Sequence, residues 1–168
     1  MRAILITGPP GAGKSEVAAS LLDRFGETSV DSAVVECDDV ERSHPPLGRS
    51  RSVEHLRLLA GSYGEFGYST LVVTATILDE DHLRTVLAAT GAEVTFVVAL
   101  EADPQTLRDR ILAREPEGWQ GLPELLNASR RLAESTKSLP GVDLVLSTEG
   151  ERPAAVAARI EEEFSRAG

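Results

Sequence analysis

An α/β fold on a parallel sheet is predicted by three features of this 168-residue sequence. Apolar runs of strand length alternate with segments of helical period, the pattern left by successive β-α-β units. The runs are almost unbroken in Val, Ile, Leu and Thr, as strands covered by helices on both faces are. The first run also leads straight into a glycine-rich turn that opens a helix, the place where parallel sheets hold phosphate.

The spacing predicts strands over 2–7 (RAILIT), 32–37 (SAVVEC), 70–76 (TLVVTAT), 93–100 (EVTFVVAL) and 143–147 (DLVLS). Helices are expected over 14–25, 52–66, 79–90, 103–115, 122–137 and 152–166. Asp79 precedes one helix, with Glu80 and Asp81 in its first turn; Asp103-Pro104 offers an N-cap followed by Pro, and Arg152-Pro153 opens the last helix similarly. Two stretches break the pattern, 41–52 (ERSHPPLGRSRS) and 115–123 (EPEGWQGLP). Read as functional rather than as solvated connections, they give one domain over 1–168 with an acceptor-binding insert at about 40–67 and a lid at about 114–130.

The 17 Lys and Arg against 27 Asp and Glu leave a net charge of −10, which repels nucleic acid polymers and anionic membranes. Any anionic ligand then needs a local basic cluster. The single cysteine, Cys37, excludes an internal disulfide and reads as a small core residue. His44, His55 and His82 have no metal-ligand spacing, and no stretch nears the ~20 apolar residues of a membrane helix. A cytoplasmic location is expected.

Gly8-Pro9-Pro10-Gly11-Ala12-Gly13-Lys14-Ser15 fits the GxxxxGK[ST] pattern between a strand and a helix. Glycines at 8, 11 and 13 let successive backbone N–H groups point at phosphate oxygens, and the helix adds its positive end. Lys14 supplies a mobile charge to the β- and γ-phosphates, and the Ser15 hydroxyl is placed for Mg²⁺. Gly8, Pro10, Gly11, Ala12, Gly13, Lys14, Ser15 and Glu16 are the expected nucleotide contacts, with ATP preferred over GTP. A bare turn with a surface lysine would leave the flanking strand and helix unexplained.

The second strand ends in Glu36-Cys37-Asp38-Asp39, where carboxylates face the phosphate loop beyond the strand ends. Asp38 is the preferred base for an attacking hydroxyl and Asp39 the second choice, the plain alternative being a helix cap and its solvated neighbour. Arg110 and Arg114 are four apart on one helix face, suited to stacking on a base and clamping phosphate. Arg130-Arg131 follows on the next helix. Arg49, Arg51, His55 and Arg57 either grip a polar or anionic acceptor or form a solvated face. Trp119 is a lid residue or a hydrophobic anchor.

On GPPGAGKS at 8–15, Asp38-Asp39 and LEADPQTLRDRILARE at 100–115, the chain resembles the small P-loop kinases, among them shikimate, gluconate and adenylate kinases and chloramphenicol phosphotransferase. That resemblance implies a three-layer αβα P-loop fold with five parallel strands in the order 2-3-1-4-5, Mg²⁺, ATP and a mobile lid. It gives Arg110 and Arg114 to adenine stacking and γ-phosphate contact, Arg130 or Arg131 to the far side of the lid, and the turn at 147–150 to the adenine edge. Lys14, Asp38, Arg114 and Arg130 become the expected catalytic set; Asp38, Asp39, Arg49 and Arg57 the acceptor-binding set; Ser15, with waters from Asp38 or another group, the magnesium site. The third strand departs from many P-loop proteins by ending without an acid. The activity implied is ATP-dependent transfer to a small-molecule hydroxyl; a nucleotide kinase and an ATP-hydrolysing switch with a protein partner are the alternatives.

Overall fold

Strand β1 (Arg2–Thr7) lies at the middle of the sheet because Ala3 to Thr7 are all buried, which only a strand covered on both faces allows. The computed structural model describes residues 1–45 and 47–167; Pro46, within the segment assigned to the acceptor insert, and Gly168 lie outside the described residues. β3 (Thr70–Thr74) and β4 (Val94–Glu101) flank β1 in parallel, with Ile4 opposite Val72 and Phe96. β2 (Ser32–Glu36) pairs with the outer side of β3, and β5 (Leu144–Ser147) with the outer side of β4. The order is β2-β3-β1-β4-β5, all parallel, as the resemblance implies.

Alternate residues of each strand feed two cores. Ile4, Ile6 and Val98 pack under α1 (Lys14–Glu27) and α7 (Pro153–Arg166) with Leu21, Phe25 and Ile160. Leu5, Leu71 and Val73 pack under α3 (Arg49–Glu65) and α4 (Glu80–Ala89) with Leu56, Leu83 and Val86. α5 (Pro104–Arg114) and α6 (Leu122–Ser135) follow β4, and a short 3-10 turn (Thr136–Ser138) leads to β5. First and last elements are tied: Arg2 donates to the Phe164 carbonyl at 2.7 Å and lies over its ring, and Arg24 pairs with Glu161 at 2.6 Å. No helix among the described residues is long and apolar enough to cross a membrane.

Three of the differences from the expected boundaries bear on the site. β2 stops at Glu36, and Cys37–Val40 turns into a one-turn helix, α2, closed by the Glu41 N–H on the Cys37 carbonyl. β3 stops at Thr74; the chain then bends across β1, with Ala75 N–H on Ile6 O and Ile77 N–H on Thr7 Oγ1. α3 begins at Arg49, three residues before the expected start at 52, so the irregular stretch shortens.

Candidate active site

The phosphate loop runs from β1 into α1. Gly11 has φ +85°, and a Cβ there would stand 2.7 Å from the Leu107 carbonyl, so only glycine lets the loop pass this close to α5. Gly13, also left-handed, caps α1. Lys14 is buried and donates to the Gly8 carbonyl at 3.0 Å. Burial pulls its ammonium below the ordinary lysine value, nearby Asp38 opposes that pull, and Arg114 adds to it. An incoming polyphosphate would supply the missing counter-charge.

Ser15 Oγ donates to the carboxylate of Glu36. Glu36, the last residue of β2, is in sequence only one member of an acidic run, yet it is the group that meets the predicted magnesium residue. No cluster of three or more His, Cys, Asp or Glu among the described residues forms a metal cage. A serine and one carboxylate beside a phosphate loop nevertheless suit Mg²⁺, which takes few protein ligands and fills its shell with water and phosphate oxygens.

A cavity of about 470 Å³ opens on one side of the loop, between Gly11 to Val17, α5 and the turn after β5. Arg110 forms part of its wall. Its guanidinium donates to the carbonyls of Gly11 (3.2 Å) and Thr148 (2.8 Å) and to Thr148 Oγ1 (2.9 Å). Arg114 and Glu16 reach the rim; Arg114 is paired there with Glu115 at 2.7 Å. Thr148, buried, and Ser129, whose hydroxyl donates to Pro10 O at 2.8 Å, fix the loop from two directions. The sequence carried no local signal for Ser129.

A second cavity, about 340 Å³, lies between α2, α3 and the chain beyond β3. Asp38, Glu41, Arg49, Ser52 and His82 supply its polar wall, and Val53 and Leu56 part of its apolar one. Burial and the charge of Asp38 push Glu41 above the ordinary carboxylate range, against the Ser52 hydroxyl and Arg49. Burial, then Arg49, pushes His82 below the ordinary imidazole range, against Asp79; the Leu78 N–H donates to its Nδ1 at 3.4 Å. Cys37 borders the same cavity, with its thiol pushed up to about 12, chiefly by burial. Native protein at neutral pH should therefore resist iodoacetamide until it is unfolded, since the thiolate is the nucleophile; rapid alkylation, followed by intact mass, would contradict this.

Three expected site residues point elsewhere. Asp39, one position round α2 from Asp38, pairs outward with Arg42 at 3.3 Å. Arg57 sits roughly 140° round α3 from Ser52 and pairs with Glu54 at 2.6 Å on the exposed face. Arg130 lines a groove between α5 and α6 with Arg108, while its neighbour Ser129 takes the position on the phosphate loop. Of the expected lid only the turn at 115–121 is irregular, because α6 already begins at Leu122. Trp119 folds back over Gly121, where an added Cβ would overlap the indole.

Residues 4–134 match the family model described as AAA domain. No curated protein matches the chain. Among solved structures, a sugar kinase from Janibacter sp. HTCC2649 is 17% identical with a TM-score of 0.73, covering 98% of this chain and 95% of that one. The Mycobacterium tuberculosis APS kinase in complex with AMPPNP and APS is 18% identical, TM-score 0.69, covering 98% and 97%. Shikimate kinase from Acinetobacter baumannii in complex with shikimate is 16% identical, TM-score 0.61, covering 98% and 93%. At such identities the likeness is one of fold, and the fold alone does not choose among acceptors. The family match spans most of the chain, and with the phosphate loop and the sheet order it places the chain in the AAA domain family, with the fold of the small P-loop kinases.

Proposed function

We propose that the protein transfers the γ-phosphate of Mg-ATP to a hydroxyl of a small molecule. The observation that carries this reading is the position of Asp38. Its residue lines the second cavity, and its charge is the main one opposing loss of the Lys14 proton. A carboxylate is thus set between a phosphate loop and an enclosed space where an acceptor fits.

ATP lies with its phosphates along Gly8–Ser15 and its base toward Thr148. Asp38 orients the acceptor hydroxyl and takes its proton as the oxygen attacks the γ-phosphorus and the bond to the bridging oxygen of ADP breaks. Lys14 and the backbone N–H groups of the loop hold the charge that spreads over the phosphoryl oxygens, and Arg114 stands ready at the rim. Ser15 and Glu36 would hold Mg²⁺, which when bound offsets phosphate charge. Arg110 positions the loop. The chain beyond β3, Ala75-Thr76-Ile77, carries no acid to orient a hydrolytic water, which counts against an ATP-driven switch.

Asp38→Asn should leave ATP binding nearly intact and lower turnover by ~10²-fold or more. ADP release with a panel of hydroxyl compounds, with the product's added mass, measures this. Undiminished turnover in the variant would remove Asp38 from the chemistry, and ADP release indifferent to every acceptor would favour simple hydrolysis.

A further inference from the structure

Arg108 and Arg130 carry charge that neither of the two cavities uses. Both line a groove of about 300 Å³ between α5 and α6. Neither is ion-paired among the described residues. Arg108 stands two residues before Arg110, so the two leave α5 on nearly opposite sides. Arg110 walls the nucleotide cavity, and Arg108 serves a separate space that shares no lining residue with it.

The lining of the groove reverses the sign of the rest of the molecule. The chain carries a net charge of −10, and each of the two cavities has two carboxylates in its wall, Glu16 with Glu151 and Asp38 with Glu41. The groove has two arginines and no acid. Asp109, beside Arg108 in the chain, lies outside the lining and accepts from the Gln105 amide at 2.8 Å. Two like charges facing one space repel, and an anion between them replaces that repulsion with two charge-assisted contacts. Arginines from two helices suit a phosphate group, whose oxygens point in several directions; a planar carboxylate is satisfied by one guanidinium. Asn127 adds an amide, and Pro104 and Leu126 leave apolar surface for a carbon skeleton.

Each arginine also adjoins the contact by which its helix supports the phosphate loop. Leu107, before Arg108, sets its carbonyl against Gly11, and Ser129, before Arg130, donates to the Pro10 carbonyl at 2.8 Å. An anion joining Arg108 to Arg130 would hold together the two helices on which the loop rests. We propose that this groove binds a phosphate group, free or carried by a small ester, and that its occupancy tightens nucleotide binding at the loop. The site is read by binding alone, so it stands or falls apart from the phosphotransfer reaction.

With Mg²⁺ and a non-hydrolysable ATP analogue filling the phosphate loop, inorganic phosphate is titrated against chloride of equal ionic strength while the Asn127 side-chain amide is followed by NMR. Wild type should show a saturable shift at millimolar phosphate. Arg108→Gln and Arg130→Gln should each weaken binding roughly 10- to 100-fold. Arg131→Gln, next in the chain but outside the lining, should leave it unchanged. No saturable shift in wild type, or a loss as large in Arg131→Gln, would overturn the site. Glycerol 3-phosphate in place of phosphate identifies the source: tighter binding assigns an ester, and equal or weaker binding assigns free phosphate.

The coupling has its own measurement. The Kd of the ATP analogue is compared in phosphate and in chloride, for wild type and for Arg108→Gln. Phosphate that competes inside the loop does so in both proteins, so the difference between them reports the groove. The ratio should favour wild type by about 5-fold or more. Equal ratios would overturn the coupling.

Discussion

Lys14→Met should abolish the thermal stabilisation that Mg-ATP confers, and should leave the free protein more stable than the wild type. The Lys14 ammonium is buried, its single hydrogen bond goes to the Gly8 carbonyl, and no ion pair reaches it among the described residues. Exchanging this buried charge, whose desolvation outweighs the pull of Asp38, for a methionine of similar length should raise Tm by a few degrees. Ligand stabilisation grows as RT ln(1 + [L]/Kd) and vanishes with the charge that grips the phosphates.

The sign of the pH dependence follows from the lowered lysine. Between its folded value and the ordinary lysine value, the unfolded chain binds the proton and the folded one does not. Wild-type stability therefore gains a contribution as pH rises through that window, and Lys14→Met removes it. Calorimetry with and without Mg-ATP, repeated at neutral and alkaline pH, measures all three effects. A free variant that melts below wild type would mean that the ammonium braces the loop.

The second large effect is expected at Gly11. An alanine there must adopt φ +85° with its Cβ 2.7 Å from the Leu107 carbonyl, and neither backbone can yield cheaply. Left-handed strain alone costs about 1–3 kcal/mol. Relieving the overlap must shift α5, and with it Arg110, which donates to the Gly11 carbonyl. Gly11→Ala should lose about 3 kcal/mol or more of stability, together with nucleotide binding. Gly26→Ala is the matched control. Gly26 lies in α1 with nothing within 4 Å of an added Cβ, so alanine should stabilise by up to about 1 kcal/mol. Urea midpoints compare the two, and equal midpoints would contradict the account of Gly11.

What could be read from the sequence was what is local. The strands are unbroken apolar runs, and the phosphate loop is a contiguous pattern whose flanks confirm it. The contacts that hold the loop are not contiguous: Ser15 meets Glu36, Arg110 meets Thr148 and Ser129 meets Pro10, each across a crossover or more of chain. No window of sequence contains both partners. Helix phase decided the rest. Asp39, Arg57 and Arg130 have the right chemistry for the site, but the turns that carry Asp38, Ser52 and Ser129 inward carry these outward. Glu36 is hard to read from sequence because the acid beside Ser15 comes from the end of β2, whereas many P-loop proteins carry theirs at the end of the third strand.

The grip of Arg110 on Thr148 also bears on the chain during its synthesis. The loop at residues 8–15 is made before the turn after β5, on which the wall beside it depends, and before α7, which covers α1. A nascent chain therefore carries the whole nucleotide signature long before it can hold a nucleotide. A nucleotide on the loop would stabilise only chains in which β5 and α7 have docked. Nucleotide retention would therefore report that β5 and α7 are in place.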